Sequence, residues 1–341
     1  MYKLRKEWSL TYMMKHRIFS YLCLLLLPAL FLCACGDDGN PSSPTPSTTD
    51  INQIPSESAS SEILDSEVPV AAGTRDNTPV VCVGSADGTT VYENDLVTLD
   101  ASHSDDGYVM VCYRGTNEKV KLQLTGPDDV TYTYNLHGDY ETFPLTAGDG
   151  SYALGIYENI EGTSYASVFS EQLDVTLTNP FGPFLYSNQY VDFSADSKPV
   201  EKARELAAGA DTDLDVVEAV YNYVISNFSY DYEKAASVQS GYLPDVDAVY
   251  QSKTGICFDY AAVMASMLRT QNIPTRLEVG YMGDVYHAWI SVYTEDTGWI
   301  NGIIHFDGDN WSLMDPTFAS TSSSPQDFLT DSAEYITKYV Y

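Results

Sequence analysis

A single cysteine stands at the start of a long apolar run in the segment KTGICFDYAAVMASMLRTQNIPTR, residues 253–276. Gly255 is a helix breaker, and the residues from Ile256 to about Arg269 predict a helix that is apolar on most sides and therefore buried. Cys257 would then occupy the first turn, where free amide N–H groups and the positive end of the helix dipole converge. This position predicts a lowered thiol pKa and a reactive thiolate, with the same amides able to donate to an oxyanion.

A cysteine nucleophile works with an imidazole that takes up protons and with an acceptor that orients the imidazole. The segment VYHAWISVY reads as an alternating strand, on which His287, Trp289 and Ser291 share one face. Asp315 precedes a proline in MDPTF, which predicts that its carboxylate lies near a strand end. His305 is a rival base, but it precedes the polar segment DGDN and is expected in a loop.

Each of these residues also has a structural interpretation. A cysteine on an apolar helix is commonly part of the core, a strand histidine is commonly a hydrogen-bonded structural group, and an aspartate before a proline commonly lies in a turn. Their combination and order, in a chain that bears signs of export, favours chemistry. That chemistry needs neither a metal nor another cofactor, and the sequence predicts none.

The N-terminus predicts export and lipid attachment. An apolar run at residues 19–32 is too short to span a bilayer comfortably, and it ends in small residues as a secretory signal does. Its end, LCAC, resembles the bacterial lipobox, whose cysteine is lipidated after cleavage. We therefore predict a signal peptide at residues 1–34, a lipid on Cys35 and a location on the extracellular face of a bacterial membrane. An uncleaved membrane anchor is the alternative.

The chain is strongly acidic, with a formal net charge of −31. Loss of residues 1–34 would remove more basic than acidic residues and leave the remainder more acidic still. Such a surface repels nucleic acid and anionic lipid headgroups. We therefore exclude nucleic acid as a partner and expect membrane attachment through acyl chains alone. We expect a monomer.

Composition divides the chain between the signal and residue 178 into two parts. Residues 35–77 are dominated by Ser, Thr, Pro and acids without apolar periodicity, which predicts a disordered tether. Residues 78–178 alternate apolar with polar residues between turn-rich breaks, which predicts a β-sandwich-like accessory domain. Cys82 and Cys112 lie in this region and could form a disulfide, a point that the sequence leaves open.

Residues 179–341 combine helices and strands. SKPVEKARELAAGA and DTDLDVVEAVYNYVISNF are helical in pattern, and the acids at residues 211–215 suit a helix N-terminus better than a metal site. IPTRLEVGYM, YHAWISVYT, GWINGIIHF and WSLMDPTF read as strands. Helices followed by strands with short connections predict an α+β fold, in which an antiparallel sheet packs on helices.

Three segments in order, GICFDYAAVMASMLRTQNIPTRLEVGY, YHAWISVY and WSLMDPTF, resemble the bacterial transglutaminase-like superfamily, and the helical DLDVVEAVYNYVISNFSYDY is similar too. The resemblance covers residues 180–341. It implies a papain-related fold with a central helix on an antiparallel sheet, and a triad of Cys257, His287 and Asp315. It also implies acyl transfer on peptide or protein amides: transglutamination, deamidation or peptide hydrolysis.

The implied reaction passes through a thioester on Cys257, which water or an amine then resolves. The amides at the helix N-terminus would stabilise the oxyanion, and Gln251 and Tyr250 are candidate side-chain donors. The family also contains members without activity. The alternative function is therefore an inactive surface module that binds proteins or glycans, for which the 27 tyrosines would be suited.

Overall fold

The structure is a computed structural model that describes residues 72–282, 285–301, 304–306, 311–313 and 335–341. These residues belong to one compact unit, Ser66–Tyr341. The predicted signal peptide, the lipidation site Cys35 and nearly all of the tether lie outside the described residues, as does Asp315. Within the described ranges, no helix is both long enough and apolar enough to cross a membrane.

The strands between residues 91 and 175 form a β-sandwich, as the alternating sequence of this region predicts. Two antiparallel four-stranded sheets have the strand orders β1-β2-β3-β6 and β5-β4-β7-β8. Strand β5, with the sequence TYTYNL, alternates strictly between exposed and buried residues, so one face of its sheet is buried. The strands are β1 (Val91–Glu93), β2 (Val97–Asp100), β3 (Tyr108–Tyr113), β4 (Val120–Thr125), β5 (Thr131–Leu136), β6 (Glu141–Pro144), β7 (Gly150–Glu161) and β8 (Ser164–Val175).

A group of helices follows the sandwich. The helices are α1 (Lys198–Ala207), α2 (Asp213–Asn227), α3 (Tyr232–Ser237), α4 (Val246–Ser252) and α5 (Cys257–Arg269). At the start of α2, the Thr212 side chain accepts the Asp215 N–H while the Asp215 carboxylate accepts the Thr212 N–H. This reciprocal cap confirms that the acids at residues 211–215 serve the helix N-terminus.

The second sheet packs against α5. Its strand order is β13-β12-β11-β16, all antiparallel. Every residue of α5 from Asp259 to Arg269 is buried, because the helix contacts β11 and β12 on one side and α1, α2 and α4 on the others. The strands are β9 (Ser229–Tyr230), β10 (Thr254–Gly255), β11 (Thr275–Met282), β12 (Val285–Thr294), β13 (Gly298–Ile300), β14 (Ile304–Phe306), β15 (Trp311–Leu313) and β16 (Tyr335–Val340). The predicted α+β class, with a central helix on an antiparallel sheet, is confirmed.

Two details differ from the sequence-based expectations. His305 lies in β14, where it pairs with Ser312 of β15, and not in a loop. The segment YITKYV was not assigned, yet it forms β16 at the edge of the sheet beside β11. Strand β16 brings the end of the chain back to the core, where the backbone of Tyr341 exchanges two hydrogen bonds with Leu277.

Arg269 fixes this return of the chain. Its guanidinium is fully buried and donates to the carbonyl oxygens of Tyr186, Thr275 and Tyr341, at distances of 2.7–3.0 Å. Buried charged groups require such hydrogen bonds. The last turn of α5 is therefore tied to three separate segments of the chain.

Candidate active site

The N-terminus of α5 is held in a defined position by its own third residue. Ile256 is the last non-helical residue, with extended backbone angles, and Cys257 is the first residue of the helix. The Asp259 carboxylate accepts the Ile256 N–H at 2.8 Å. Cys257 thus lies where helical amides have no intrahelical partner, as the sequence predicts.

A short parallel pairing brings a tyrosine to this helix end. Strand β9 pairs with β10 so that Tyr230 lies opposite Gly255, and the Asp231 N–H donates to the Gly255 carbonyl at 2.9 Å. Tyr230 is therefore level with the residues that lead into α5, and its hydroxyl interacts with the Cys257 thiol. Burial raises the pKa of Tyr230 to about 12, so the hydroxyl keeps its proton near neutral pH.

The thiol itself is half-buried and has three neighbouring donors. Burial raises the pKa of Cys257, whereas the amides of Ala288 and Phe258 and the Tyr230 hydroxyl act to lower it. Burial is the largest of these effects, so the predicted lowered thiol pKa is wrong. The sequence indicated the amides at the helix end but could not show that folding buries the thiol in part.

His287 enters the site from β12. It lies directly opposite Gly280 of β11, is buried, and immediately precedes Ala288, whose amide interacts with the Cys257 thiol. Gly280 adjoins an irregularity in the pairing between β11 and β16. A Cβ at residue 280 would lie 2.0 Å from the carbonyl oxygen of Ile336. Only glycine therefore allows β16 to approach β11 at the position that faces His287.

A polar cluster continues along β12. Alternate residues of this strand, His287, Trp289 and Ser291, share a face as predicted. The buried Ser291 hydroxyl donates to one carboxylate oxygen of Glu278 at 2.6 Å, and Thr337 of β16 donates to the other at 2.8 Å. Glu278 of β11, which the sequence analysis did not identify, thus links this strand to β12 and β16 through these two hydrogen bonds.

The predicted side-chain donors Gln251 and Tyr250 make their described contacts with other helices. Gln251 is exposed and accepts a hydrogen bond from Lys198 of α1 at 3.0 Å. The Tyr250 hydroxyl accepts from Tyr223 of α2 at 3.2 Å. Both residues lie on α4, whose side chains here face α1 and α2, whereas the hydroxyl beside the thiol comes from Tyr230. A role of Gln251 or Tyr250 as an oxyanion donor stays a prediction.

The other two described cysteines do not form a disulfide. Cys82, Cys112 and Cys257 are all free thiols. The Cys112 thiol donates to the Gly138 carbonyl at 3.2 Å, while the backbone of Cys82 bridges to Tyr186. The structure therefore does not contain the Cys82–Cys112 disulfide that the sequence left open. Burial raises the pKa of both thiols.

A comparison with protein families finds a match that includes the helix of Cys257 and the strand of His287. Residues 200–302 match the model of the transglutaminase-like superfamily, so the chain contains a transglutaminase-like domain. The match includes Cys257 and His287, while Asp315 lies beyond it and beyond the described residues.

Two curated relatives match about a third of this chain. YebA, an uncharacterized protein of Bacillus subtilis, is 29% identical over 144 residues, which are 34% of this chain and 19% of YebA. The UPF0252 protein MJ1282 of Methanocaldococcus jannaschii is 28% identical over 139 residues, which are 35% of this chain and 39% of that protein. The chain therefore spans well under half the length of either relative.

A comparison with solved structures matches this chain to a candidate cysteine protease from Cytophaga hutchinsonii and to a transglutaminase from red sea bream. The first has 17% identity and a TM-score of 0.32, with 63% of this chain and 79% of that chain covered. The second has 16% identity and a TM-score of 0.23, with 63% and 48% covered.

Proposed function

We propose that this protein is a cysteine-dependent enzyme that transfers acyl groups from peptide or protein amides, with Cys257 as nucleophile and His287 as base. The observation that carries the proposal is the free Cys257 thiol at the first residue of α5, in contact with the Tyr230 hydroxyl and the amide that follows His287. A purely structural cysteine needs no such set of donors, whereas a thiolate and an oxyanion both use them.

In the proposed reaction, the Cys257 sulfur attacks the carbonyl carbon of the amide and His287 accepts the thiol proton. The carbon–nitrogen bond of the tetrahedral intermediate then breaks, and the imidazolium returns the proton to the leaving amine. A thioester remains on Cys257. Water or a second amine attacks the carbonyl carbon of this thioester while His287 takes up its proton. The carbon–sulfur bond then breaks, the acid or the new amide leaves, and the imidazolium returns the proton to the Cys257 sulfur. Asp315 would orient the imidazole, a role that rests on the family resemblance.

The raised pKa of the Cys257 thiol indicates that His287 would act as the proton acceptor. Because burial favours the neutral thiol in the free protein, the proton must leave as the substrate is attacked, and a neutral imidazole is the group that can accept it. The Tyr230 hydroxyl and the amides of α5 would stabilise the negative charge that moves from sulfur to the carbonyl oxygen. The proposal therefore needs neither a metal ion nor another cofactor.

The proposed activity is tested with two readouts on the same samples. Incorporation of a fluorescent primary amine into casein reports transamidation, and release of new amino groups from casein reports hydrolysis. Wild-type protein should give at least one signal, and the Cys257→Ala variant should give neither. Replacement of His287 by Gln should lower the rate by about 100-fold or more, since general base catalysis contributes about 10²–10⁴-fold.

The other free thiols provide matched controls. Cys82→Ala and Cys112→Ala should keep the wild-type rate, because both residues lie outside the transglutaminase-like match. Activity that survives in Cys257→Ala would overturn the proposal. A folded wild-type protein that is inactive across a panel of protein substrates would instead favour a surface module that binds proteins or glycans.

We further propose that the protein is held on the outer side of a bacterial membrane by a lipid on Cys35. The support is the apolar run that ends in LCAC and the acidic Ser/Thr/Pro-rich segment after it. Cells fed an alkyne fatty acid should label the wild-type protein and not the Cys35→Ala variant. Equal labelling of both proteins, or none of either, would contradict this anchor.

A further inference from the structure

A fully buried carboxylate lies in the same helical turn as Cys257. The Asp259 side chain is 0% exposed, and one of its oxygens accepts both the Ile256 N–H at 2.8 Å and the Lys234 ammonium at 2.7 Å. The Tyr242 hydroxyl donates to the other oxygen at 2.5 Å. The ammonium also donates to the Tyr242 hydroxyl at 2.6 Å, so the three side chains form a closed network.

This network joins two elements at the nucleophile. Lys234 belongs to α3, which starts at Tyr232, directly after the segment that carries Tyr230. Asp259 belongs to the first turn of α5. The ion pair therefore ties α3 to the first turn of α5.

Gly255 permits the close approach of the carboxylate to the helix entry. A Cβ at residue 255 would lie 2.6 Å from the Asp259 Cβ and 2.9 Å from its carboxylate oxygen. The backbone just before Cys257 is thus shaped around Asp259. A carboxylate that served only to cap the helix would not need burial, a cationic partner and a second hydroxyl donor.

We propose that Lys234 and Asp259 form a charge pair that positions the Cys257 nucleophile and balances the electrostatic potential at its sulfur. The role of Cys257 as a nucleophile rests on the proposed function, whereas the effect of the charge pair on the Cys257 sulfur does not depend on that function. Asp259 and Lys234 are positioning residues, since neither is described in contact with the thiol. The pair explains how a negative side chain is tolerated within one turn of a sulfur that must itself become negative.

Ionisable groups on neighbouring elements surround the Cys257 thiol and the Asp259 carboxylate. Tyr230 of β9 interacts with the thiol, and the negative charge of Asp259 raises the pKa of Cys257. His287 lies one residue from the Ala288 amide in β12. Among the described residues, the ionisable groups that interact with Asp259 include Lys234, Tyr242 and Tyr260 as well as Cys257. Lys234 is the cation that pairs with Asp259.

The proposal predicts that removal of either charge shifts the pKa of Cys257, and that the two shifts have opposite directions. Asp259→Asn keeps the shape of the side chain and removes its charge, which leaves the Lys234 ammonium uncompensated near the sulfur. The pKa of Cys257 should then fall by about one unit. Lys234→Met leaves the buried carboxylate uncompensated, so the pKa of Cys257 should rise by about one unit. The double variant, in which both charges are absent, should lie between the two single variants and close to the wild type.

The measurement is the rate of iodoacetamide alkylation of Cys257 as a function of pH in the full-length protein. Mass spectrometry of the tryptic peptide of residues 254–269 reports this site alone. The tryptic peptide of residues 76–114 contains both Cys82 and Cys112, which are half-buried thiols. Its alkylation in the same sample should not change. Lys234→Arg keeps the charge and should retain the wild-type midpoint.

A merely structural role predicts a different pattern. Each single variant would then lose thermal stability, but the pH midpoints of Cys257 alkylation in the two variants would move in the same direction or stay unchanged. Either result overturns the inference. Should one single variant not fold, the shift of the other decides, because its direction is specified. Should both fail, Tyr242→Phe decides: loss of a donor to the carboxylate should raise the midpoint, and an unchanged midpoint overturns the inference. Opposite shifts in a protein without amide turnover would overturn the proposed function and retain this inference.

Discussion

At the scale of single residues, the chemistry of Cys257 depends on groups that are distant from it in the chain. The amides at the start of a helix are common to every helix, but the Tyr230 hydroxyl is supplied by β9. Because burial holds the pKa of Tyr230 at about 12, this hydroxyl is a donor over the whole physiological pH range. It can stabilise either the thiolate or the oxyanion, and in both it donates a hydrogen bond to a negative atom.

Replacement of Tyr230 by Phe removes this donor and little else. We expect the pKa of Cys257 to rise by about half a unit to one unit, since a hydrogen bond to the charged form favours that form. Alkylation of Cys257 should therefore require a higher pH, and the measurement is its rate between pH 6 and pH 10. The control is Tyr232→Phe, because Tyr232 is 61% exposed. An unchanged midpoint in Tyr230→Phe would show that the hydroxyl does not act on the sulfur.

At the scale of secondary-structure elements, the position of His287 depends on how closely three strands approach. Strand β11 lies between β12 and β16, and Gly280 is the residue of β11 that faces His287. A side chain at this position meets backbone atoms of β16 rather than the flexible end of another side chain. The sheet can admit a methyl group only if β16 shifts.

We expect Gly280→Ala to destabilise the protein by about 1–3 kcal/mol, the usual cost of overpacking, and to lower any Cys257-dependent activity by about tenfold or more. Urea unfolding measures the first effect and the amine-incorporation assay measures the second. Gly155→Ala is the matched strand control, because the three atoms nearest to its new Cβ all belong to the side chain of Tyr157. Full stability and full activity in Gly280→Ala would contradict the importance of this approach.

At the scale of the whole molecule, the sandwich and the helix–sheet region share one continuous core. Tyr132 and Tyr134 of β5 pack against Tyr341, with ring centroids 5.6 Å and 6.1 Å apart. The Tyr132 hydroxyl also accepts the Val340 N–H at 3.3 Å. The last residues of the chain, which complete the second sheet, are therefore covered by the first domain.

This shared core predicts that residues 179–341 do not fold stably when produced alone. Removal of the sandwich would expose Tyr190, Tyr339 and Tyr341, whose rings pack together beside Tyr132 and Tyr134. We expect strong binding of the dye ANS and no cooperative thermal transition, compared with a cooperative transition in a fragment of residues 72–341. A fragment of residues 179–341 with a sharp transition would show that the sandwich is only a spacer.

The buried phenols also predict how stability changes with pH. Burial raises the pKa of Tyr186 and Tyr221 to about 12 and raises that of Tyr134 well above its ordinary value, whereas an unfolded tyrosine titrates near pH 10. The unfolded state therefore loses protons first as the pH rises. The stabilisation by neutral buried tyrosines is complete below about pH 10 and is lost as the pH rises towards 12.

Thermal midpoints measured from pH 8 to pH 12 should fall mainly above pH 10, together with the growth of phenolate absorbance at 295 nm. Tyr221→Phe should reduce this fall, because it removes a phenol that is 4% exposed. The exposed Tyr232, replaced by Phe, is the control and should leave the fall unchanged. A midpoint that is constant to pH 12 would contradict the burial of these phenols.

The sequence predicted more of the elements than of their contacts. The position of Cys257 at the start of α5 followed from the glycine before it and the apolar run after it. The strand that carries His287 followed from its alternation. The edge strand β16 was missed because its partner β11 lies far away in the chain, and His305 was placed in a loop because its short strand precedes a polar segment.

Local features of this protein can be predicted along the chain: the residues that are candidates for nucleophile and base, most of the helices and strands, and the family that the segments resemble. The tertiary contacts add that burial raises the pKa of the Cys257 thiol, that the Tyr230 hydroxyl interacts with this thiol, and that Lys234 pairs with Asp259. Helical and strand periodicity are properties of neighbouring residues, and so they can be read along the chain. Desolvation and charge pairing depend on distances between residues that only folding brings together.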